Sequence, residues 1–129
     1  YSGLPAFHPL VRDIPGLDPK VVDAALKAEA AGIRNAGYNL RVVYMGPEQN
    51  SSILANRLAD GRWDGVGVGA GIRVTTKPEA TVYLEKIFQL FSDRAHLAQI
   101  FLNYNANSTL SALQRHFPIS GCTKPGKNL

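Results

Sequence analysis

Apolar residues recur along this chain with two periods, and each switch from one to the other marks an element. Leu40-Arg41-Val42-Val43-Tyr44-Met45 is rich in β-branched and aromatic residues and stops at Gly46-Pro47, which predicts a strand. A second strand is predicted from Asp64 to Ile72, where Val66, Val68 and Ile72 alternate with glycines. A third covers Ala98 to Leu102, ahead of an Asn-rich stretch. Helical spacing fills the intervals. Asp18-Pro19 joins an N-capping carboxylate to a proline at the first helical position, and Val21, Val22, Ala25, Leu26, Ala28 and Ile33 then form one stripe up to Gly37. Further helices are predicted from about Ser51 to Ala59, from Pro78 to about Arg94, and from about Ser108 to His116 before Pro118.

Strands that alternate with helices argue for parallel pairing through right-handed crossovers. The expectation is an α/β fold: a small three-layer domain with a short parallel sheet of three to four strands and about four helices. That domain is expected over residues 18–117, between an irregular N-terminal arm (1–17) and a flexible C-terminal tail (118–129). In the arm, Phe7, Leu10, Val11 and Ile14 are interrupted by Pro9 and closed by Pro15, a poor pattern for a central strand and at best a short edge strand. The competing expectation is that a first strand precedes Tyr1.

Composition narrows the picture. The 129 residues carry 14 Lys and Arg against 10 Asp and Glu, a net charge of +4, but the cations are scattered and no nucleic-acid partner is expected. No apolar run approaches the roughly 18 residues of a membrane helix, so no membrane partner is expected either. Cys122 is the only cysteine, which excludes an internal disulfide and fits a reducing, cytoplasmic setting; in the tail it reads as an inert thiol. His8, His96 and His116 lie far apart without ligand-spaced partners, so no metal is expected.

Ligands of open parallel sheets bind beyond the carboxyl ends of the strands. Three loops are selected by that rule, and all are polar and run into helix starts: Gly46 to Ser52, Gly69 to Lys77, and Asn103 to Thr109. The candidate binding residues are Asn50 and Ser51 in the first, Gly71, Arg73, Thr75 and Lys77 in the second, and Asn103, Asn105, Asn107 and Ser108 in the third. Arg73 would pair an anion with its planar fork and Lys77 would assist. Asn50-Ser51-Ser52 and Asn107-Ser108-Thr109 match the glycosylation acceptor but read more simply as helix starts. Were chemistry to occur, Tyr104, Glu48 or His8 offers the best acid–base group, none with a visible partner.

The series Gly65, Gly67, Gly69, Gly71 contains Gly-x-Gly-x-x-Ala, but a dinucleotide fingerprint needs these glycines in the turn after a strand, and here they alternate within one. Close approach of another group to the backbone explains them better. There is no Gly-Lys-Ser/Thr loop and no Gly-x-Ser-x-Gly elbow. The helix from Pro78 carries Val82, Tyr83, Leu84, Ile87, Phe88, Leu90 and Phe91, a face wide enough to suggest a homodimer.

Gly69-Ala70-Gly71-Ile72-Arg73 followed by a helix, and Phe101-Leu102-Asn103 at a strand end, resemble motifs of the small flavodoxin-like or Rossmann-like α/β proteins. More narrowly, they resemble a bacterial and fungal group with these two strand ends, over residues 18–116. The resemblance implies a fold and no activity. The phosphate loop of flavodoxins is missing, as are the acidic pair and lysine of response-regulator receivers, and no cofactor is expected. The leading expectation is a domain that binds a phosphate- or carboxylate-bearing small molecule at the carboxyl edge of its sheet. The alternatives are a dimerising interaction module and an enzyme acting on such a metabolite.

Overall fold

The computed structural model describes residues 1–121 and 124–129. Four short strands, β1 (Ser2–Gly3), β2 (Val43–Tyr44), β3 (Gly65–Val68) and β4 (Gln99–Leu102), form one parallel sheet in the order β2-β1-β3-β4. The helices are α1 (Pro9–Arg12), α2 (Pro19–Asn35), α3 (Ser52–Ala59), α4 (Ala70–Val74), α5 (Pro78–Arg94) and α6 (Thr109–His116). Parallel neighbours need crossovers, and here the crossovers cover both faces. Helices α1, α3, α4 and α5 close over a core that includes Met45, Val66, Val68 and Ile87, whereas α2 and α6 meet on the opposite face around Ile33, Phe101 and Ala112. The chain is thus a three-layer α/β domain. None of its described helices is long and apolar enough to cross a membrane.

Local sequence accounts for the longest helices. The Asp18 carboxylate accepts from the Lys20 N–H at 3.0 Å and Pro19 opens α2. The helix ends in a Schellman turn, with Tyr38 N–H donating to Ile33 O and Gly37 N–H to Arg34 O, and Gly37 at φ 102° supplies the left-handed residue this turn needs. In α5, Tyr83, Ile87 and Phe91 are buried, and Leu84, Phe88 and Leu90 pack against the same core. The wide apolar face is therefore taken up largely within the chain, leaving Val82 exposed.

Three expectations are corrected. The opening segment is neither an arm nor an edge: Ser2–Gly3 is an interior strand. Val43 and Met45 N–H groups donate to Tyr1 O and Gly3 O on one side of it, and Gly69 N–H donates to Ser2 O on the other. A strand this short shows no alternation, and Pro5 cuts off the pattern that would have revealed it. The second strand ends at Val68, not Ile72, and α4 follows at once. Val68 and Ile72 are spaced for one helical face as well as for one strand face, so periodicity does not separate the two. The tail is not loose where it is described. Leu40 forms a parallel bridge with Asn128, donating to Lys127 O at 2.9 Å and accepting from Leu129 N–H at 2.8 Å. Cys122 lies outside the described residues.

The glycine series has a physical reason. Val66 and Val68 enter the α3/α5 core, so Gly65, Gly67 and Gly69 present backbone to the α2/α6 face. The rings of Phe117, Phe101 and Tyr1 lie over these three glycines, and a Cβ at Gly67 would overlap Phe101. The close approach expected from the sequence is made by the chain's own aromatics.

Both sheet edges are partly capped. Just before β2, Leu40 bridges to Asn128, and on β4 the carbonyls of Ile100 and Leu102 accept from Gln99 Nε2 at 2.9 Å and Arg115 Nη2 at 3.0 Å.

Candidate functional site

Beyond the carboxyl ends of β1, β3 and β4 lies a cavity of about 310 Å³. Its floor includes Gly3, Leu4 and the Tyr1 ring; Val11 of α1 and Val22 and Leu26 of α2 line its walls. Gly69, Ala70 and Gly71 border it on one side and residues 103–106 on another. Among the described residues, its lining holds no charged side chain. The apolar residues of the opening segment, including Ile14 and Leu17, find their place here; they signalled only an irregular arm in the sequence.

Of the residues selected from the sequence, Gly71, Asn103, Tyr104 and Asn105 line this cavity, Tyr104 being largely exposed. Asn103 is buried, at 2% exposure, and its Nδ2 donates to Thr109 Oγ1 at 2.9 Å and to the Tyr1 hydroxyl at 3.3 Å. Its Oδ1 has no partner among the described residues. Ser108 organises the loop: its Oγ accepts from the Tyr104 and Asn105 N–H groups at 2.9 and 3.0 Å and donates to Asn105 O. Asn107 is exposed, its N–H bonded to Asn105 Oδ1, so it shapes the loop without lining the cavity.

Arg73 does not line the cavity. Its Nη2 donates to the main-chain carbonyl of Asn103, and its Nε is buried without a partner among the described residues. Lys77 is exposed beside Thr75, whose Oγ1 accepts the Lys77 N–H at 3.3 Å. Asn50 and Ser51 sit after β2, away from the cavity; Asn50 Oδ1 accepts from Ser52 N–H at the start of α3. The polar residues expected to converge on an anion are thus distributed between loop scaffolding and solvent.

Sequence reasoning missed Tyr1 at this edge and, though it named both residues, the pairing of His8 with Glu48. Tyr1 runs over Gly3 towards Gly69 and reaches Asn103; burial pushes its phenol up, against the opposing pull of Asn103 and Thr109. His8 and Glu48 are paired, Nε2 to Oε2 at 2.9 Å, although each lacked a visible partner in the sequence. Because His8 Nδ1 accepts from the Leu10 N–H at 3.1 Å, the ring proton lies on Nε2, facing Glu48. Both ring nitrogens are therefore occupied, and His8 acts as the cap of α1. The His8 bond holds the Glu48 carboxyl below its usual range. Gly46 makes room for the pair, since a Cβ there would meet both side chains.

A larger opening, about 570 Å³, lies at the amino edge between Tyr38, Trp63 and Phe117. Arg41 there is already engaged: it stacks 5.0 Å from the Trp63 ring centroid and donates to Arg57 O, Leu129 O and the Asp60 carboxylate.

Comparison of the chain with protein families, with curated proteins and with solved structures finds no significant match to any of them.

Proposed function

We propose that this chain is a small-molecule binding protein of flavodoxin-like type, which takes a compact, mostly apolar ligand at the carboxyl edge of its sheet. The observation that carries the reading is the position of the 310 Å³ cavity. It opens where the loops after β1 and β3 diverge, the point at which the strand order β2-β1-β3-β4 reverses direction. Its size lies at the small end of ligand pockets, and its apolar walls with a few amides match their usual chemistry. With Arg73 and Lys77 outside the lining, ligand charge contributes less than the phosphate- or carboxylate-based expectation held.

The test is a thermal-shift screen against uncharged bicyclic aromatics, nucleotides, flavins, phosphosugars and small carboxylates, run beside Val74→Trp. Val74 is half exposed at the rim, so tryptophan there obstructs the mouth without disturbing the core. A ligand at 100 times its Kd stabilises by about 2.7 kcal/mol. The reading expects a shift from an uncharged aromatic that Val74→Trp abolishes. Shifts from charged compounds alone, unchanged in Val74→Trp, would place binding elsewhere.

A further inference from the structure

The larger opening at the amino edge is a gap in the sheet itself. Strand β1 pairs Ser2 with Val43 on one side and with Val68 on the other. Tyr1 is thus level with Val42 and Gly67, and no residue of β1 stands between Leu40-Arg41 and Gly65-Val66. The cavity of about 570 Å³ lies at these positions, with Leu40, Arg41 and Gly65 in its lining. The alternation of a parallel ladder sets which main-chain groups face the gap. Gln99 N–H donates to Asp64 O across to β4, so Gly65 and Gly67 turn towards β1, as the Gly69 N–H on Ser2 O shows. On the other side Leu40 is bonded outward to the segment at Asn128, so Arg41 turns inward. The Arg41 N–H, the Gly67 N–H and the Gly65 carbonyl have no partner among the described residues. At the inner end of the gap the Tyr1 nitrogen donates to Arg41 O at 2.9 Å, in the manner of a ladder N–H.

We propose that this gap binds an extended peptide segment of a separate polypeptide, which enters in line with β1 and parallel to β2 and β3, its carboxyl end against Tyr1. The proposal is independent of the cavity at the carboxyl edge, whose lining shares only Tyr1 with this one. A peptide strand here supplies the donors and acceptors that both flanking strands lack, which is recognition by strand addition. Its side chains are apolar on both faces, as in other interior parallel strands. The Tyr1 ring packs on the α2/α6 face, so the peptide residue next to it points towards Trp63 and the one after it towards Tyr38 and Phe117. Proline is excluded from the position next to Tyr1, because the nitrogen there must donate to the Gly65 carbonyl.

The probe is acetyl-Ser-Glu-Val-Val-Val-amide, whose two polar residues keep it soluble, titrated into the 129-residue chain. A second peptide carries N-methylvaline at its carboxyl end, which keeps the side chain and removes the donor to Gly65. Amide chemical shifts give the dissociation constants, and hydrogen exchange reads the Arg41 and Gly67 N–H groups. The expected result is slowed exchange at both amides and binding about tenfold tighter than that of the N-methyl peptide, the factor an ordinary hydrogen bond supplies. Equal binding of the two peptides, with both amides exchanging as before, means that the valines only adhere to the aromatic walls, and overturns strand addition. No binding of either peptide overturns the proposal. A third arm joins Ser-Glu-Val-Val-Val ahead of Tyr1. A raised melting temperature in that chain, with the separate peptide unbound, assigns the gap to a covalently joined segment and overturns the separate partner.

Discussion

The guanidinium of Arg73 in α4 donates to the main-chain carbonyl of Asn103, 30 positions along the chain at the end of β4. One side chain thereby ties α4, which follows β3, to the end of β4. Removing it leaves a carbonyl without its charged donor, a loss of about 2 kcal/mol. Arg73→Ala should lower the melting temperature by several degrees in the absence of any ligand. Calorimetry showing unchanged stability would mean that the guanidinium is free to meet a ligand instead.

The glycine stripe of β3 makes a second expectation. Phe101 is 3% exposed and its ring occupies the space a Cβ at Gly67 would need. Gly67→Ala should cost about 2 kcal/mol or more by overpacking. Pairing it with Phe101→Leu should cost less than the two separate losses added together, because the smaller side chain relieves the overlap. Urea unfolding of the four species measures this coupling, and strict additivity would separate the ring from the glycine.

Glu48 should give the fold an acid dependence. Its carboxyl is held below the ordinary value of 4.5 by the His8 bond, so the folded state binds this proton more weakly than the unfolded state. The stabilisation is complete above that ordinary value and disappears as pH falls through the lower folded one. Melting curves from pH 7 to pH 3 should show Glu48→Gln less stable at neutral pH, with the two proteins converging in acid. Parallel curves would mean that the His8 contact contributes nothing.

Tyr83 governs the opposite limit. It is 4% exposed, its hydroxyl donates to Met45 O at 3.1 Å, and burial pushes its phenol up to about 12. A raised folded value means stability that is complete below pH 10 and lost as pH rises towards 12. Tyrosinate absorbance should show a late phase near pH 12, to which Tyr44 also contributes because burial pushes its phenol up to about 12 as well, and Tyr83→Phe should reduce the amplitude of that phase by one tyrosine. A late phase of unchanged amplitude in the variant would belong to other tyrosines.

What could be read in the sequence follows from what each signal encodes. Helix α2 was legible because Asp18-Pro19 and Gly37 are local devices that act through their immediate neighbours. Gly71, Asn103 and Asn105 were found because strand ends are local too, and a parallel sheet brings strand ends together. Strand β1 was illegible because two residues carry no period, and its pairing is dictated by neighbours some 40 and 66 positions away. Arg73 was expected in a loop directly after a strand ending at Ile72, and lies instead in α4 with its guanidinium on a main-chain carbonyl. A side chain that long can reach a ligand or a neighbouring carbonyl, and only the three-dimensional position of Asn103 decides which. His8 and Glu48 are 40 residues apart, so their pairing exists only once β1 and β2 lie side by side.

The partly capped edges of the sheet bear on how this chain behaves in a crowded solution. A bare outer strand is a template on which other chains can stack, and fibrils grow by that route. Here the outward carbonyls of β4 already accept from Gln99 and Arg115, while the segment ending at Leu129 is laid along the approach to β2. These contacts occupy backbone groups that an added strand would need, so strand-on-strand growth is disfavoured at the positions they cover. Arg115, far from the cavity in function, guards the chain against its own backbone.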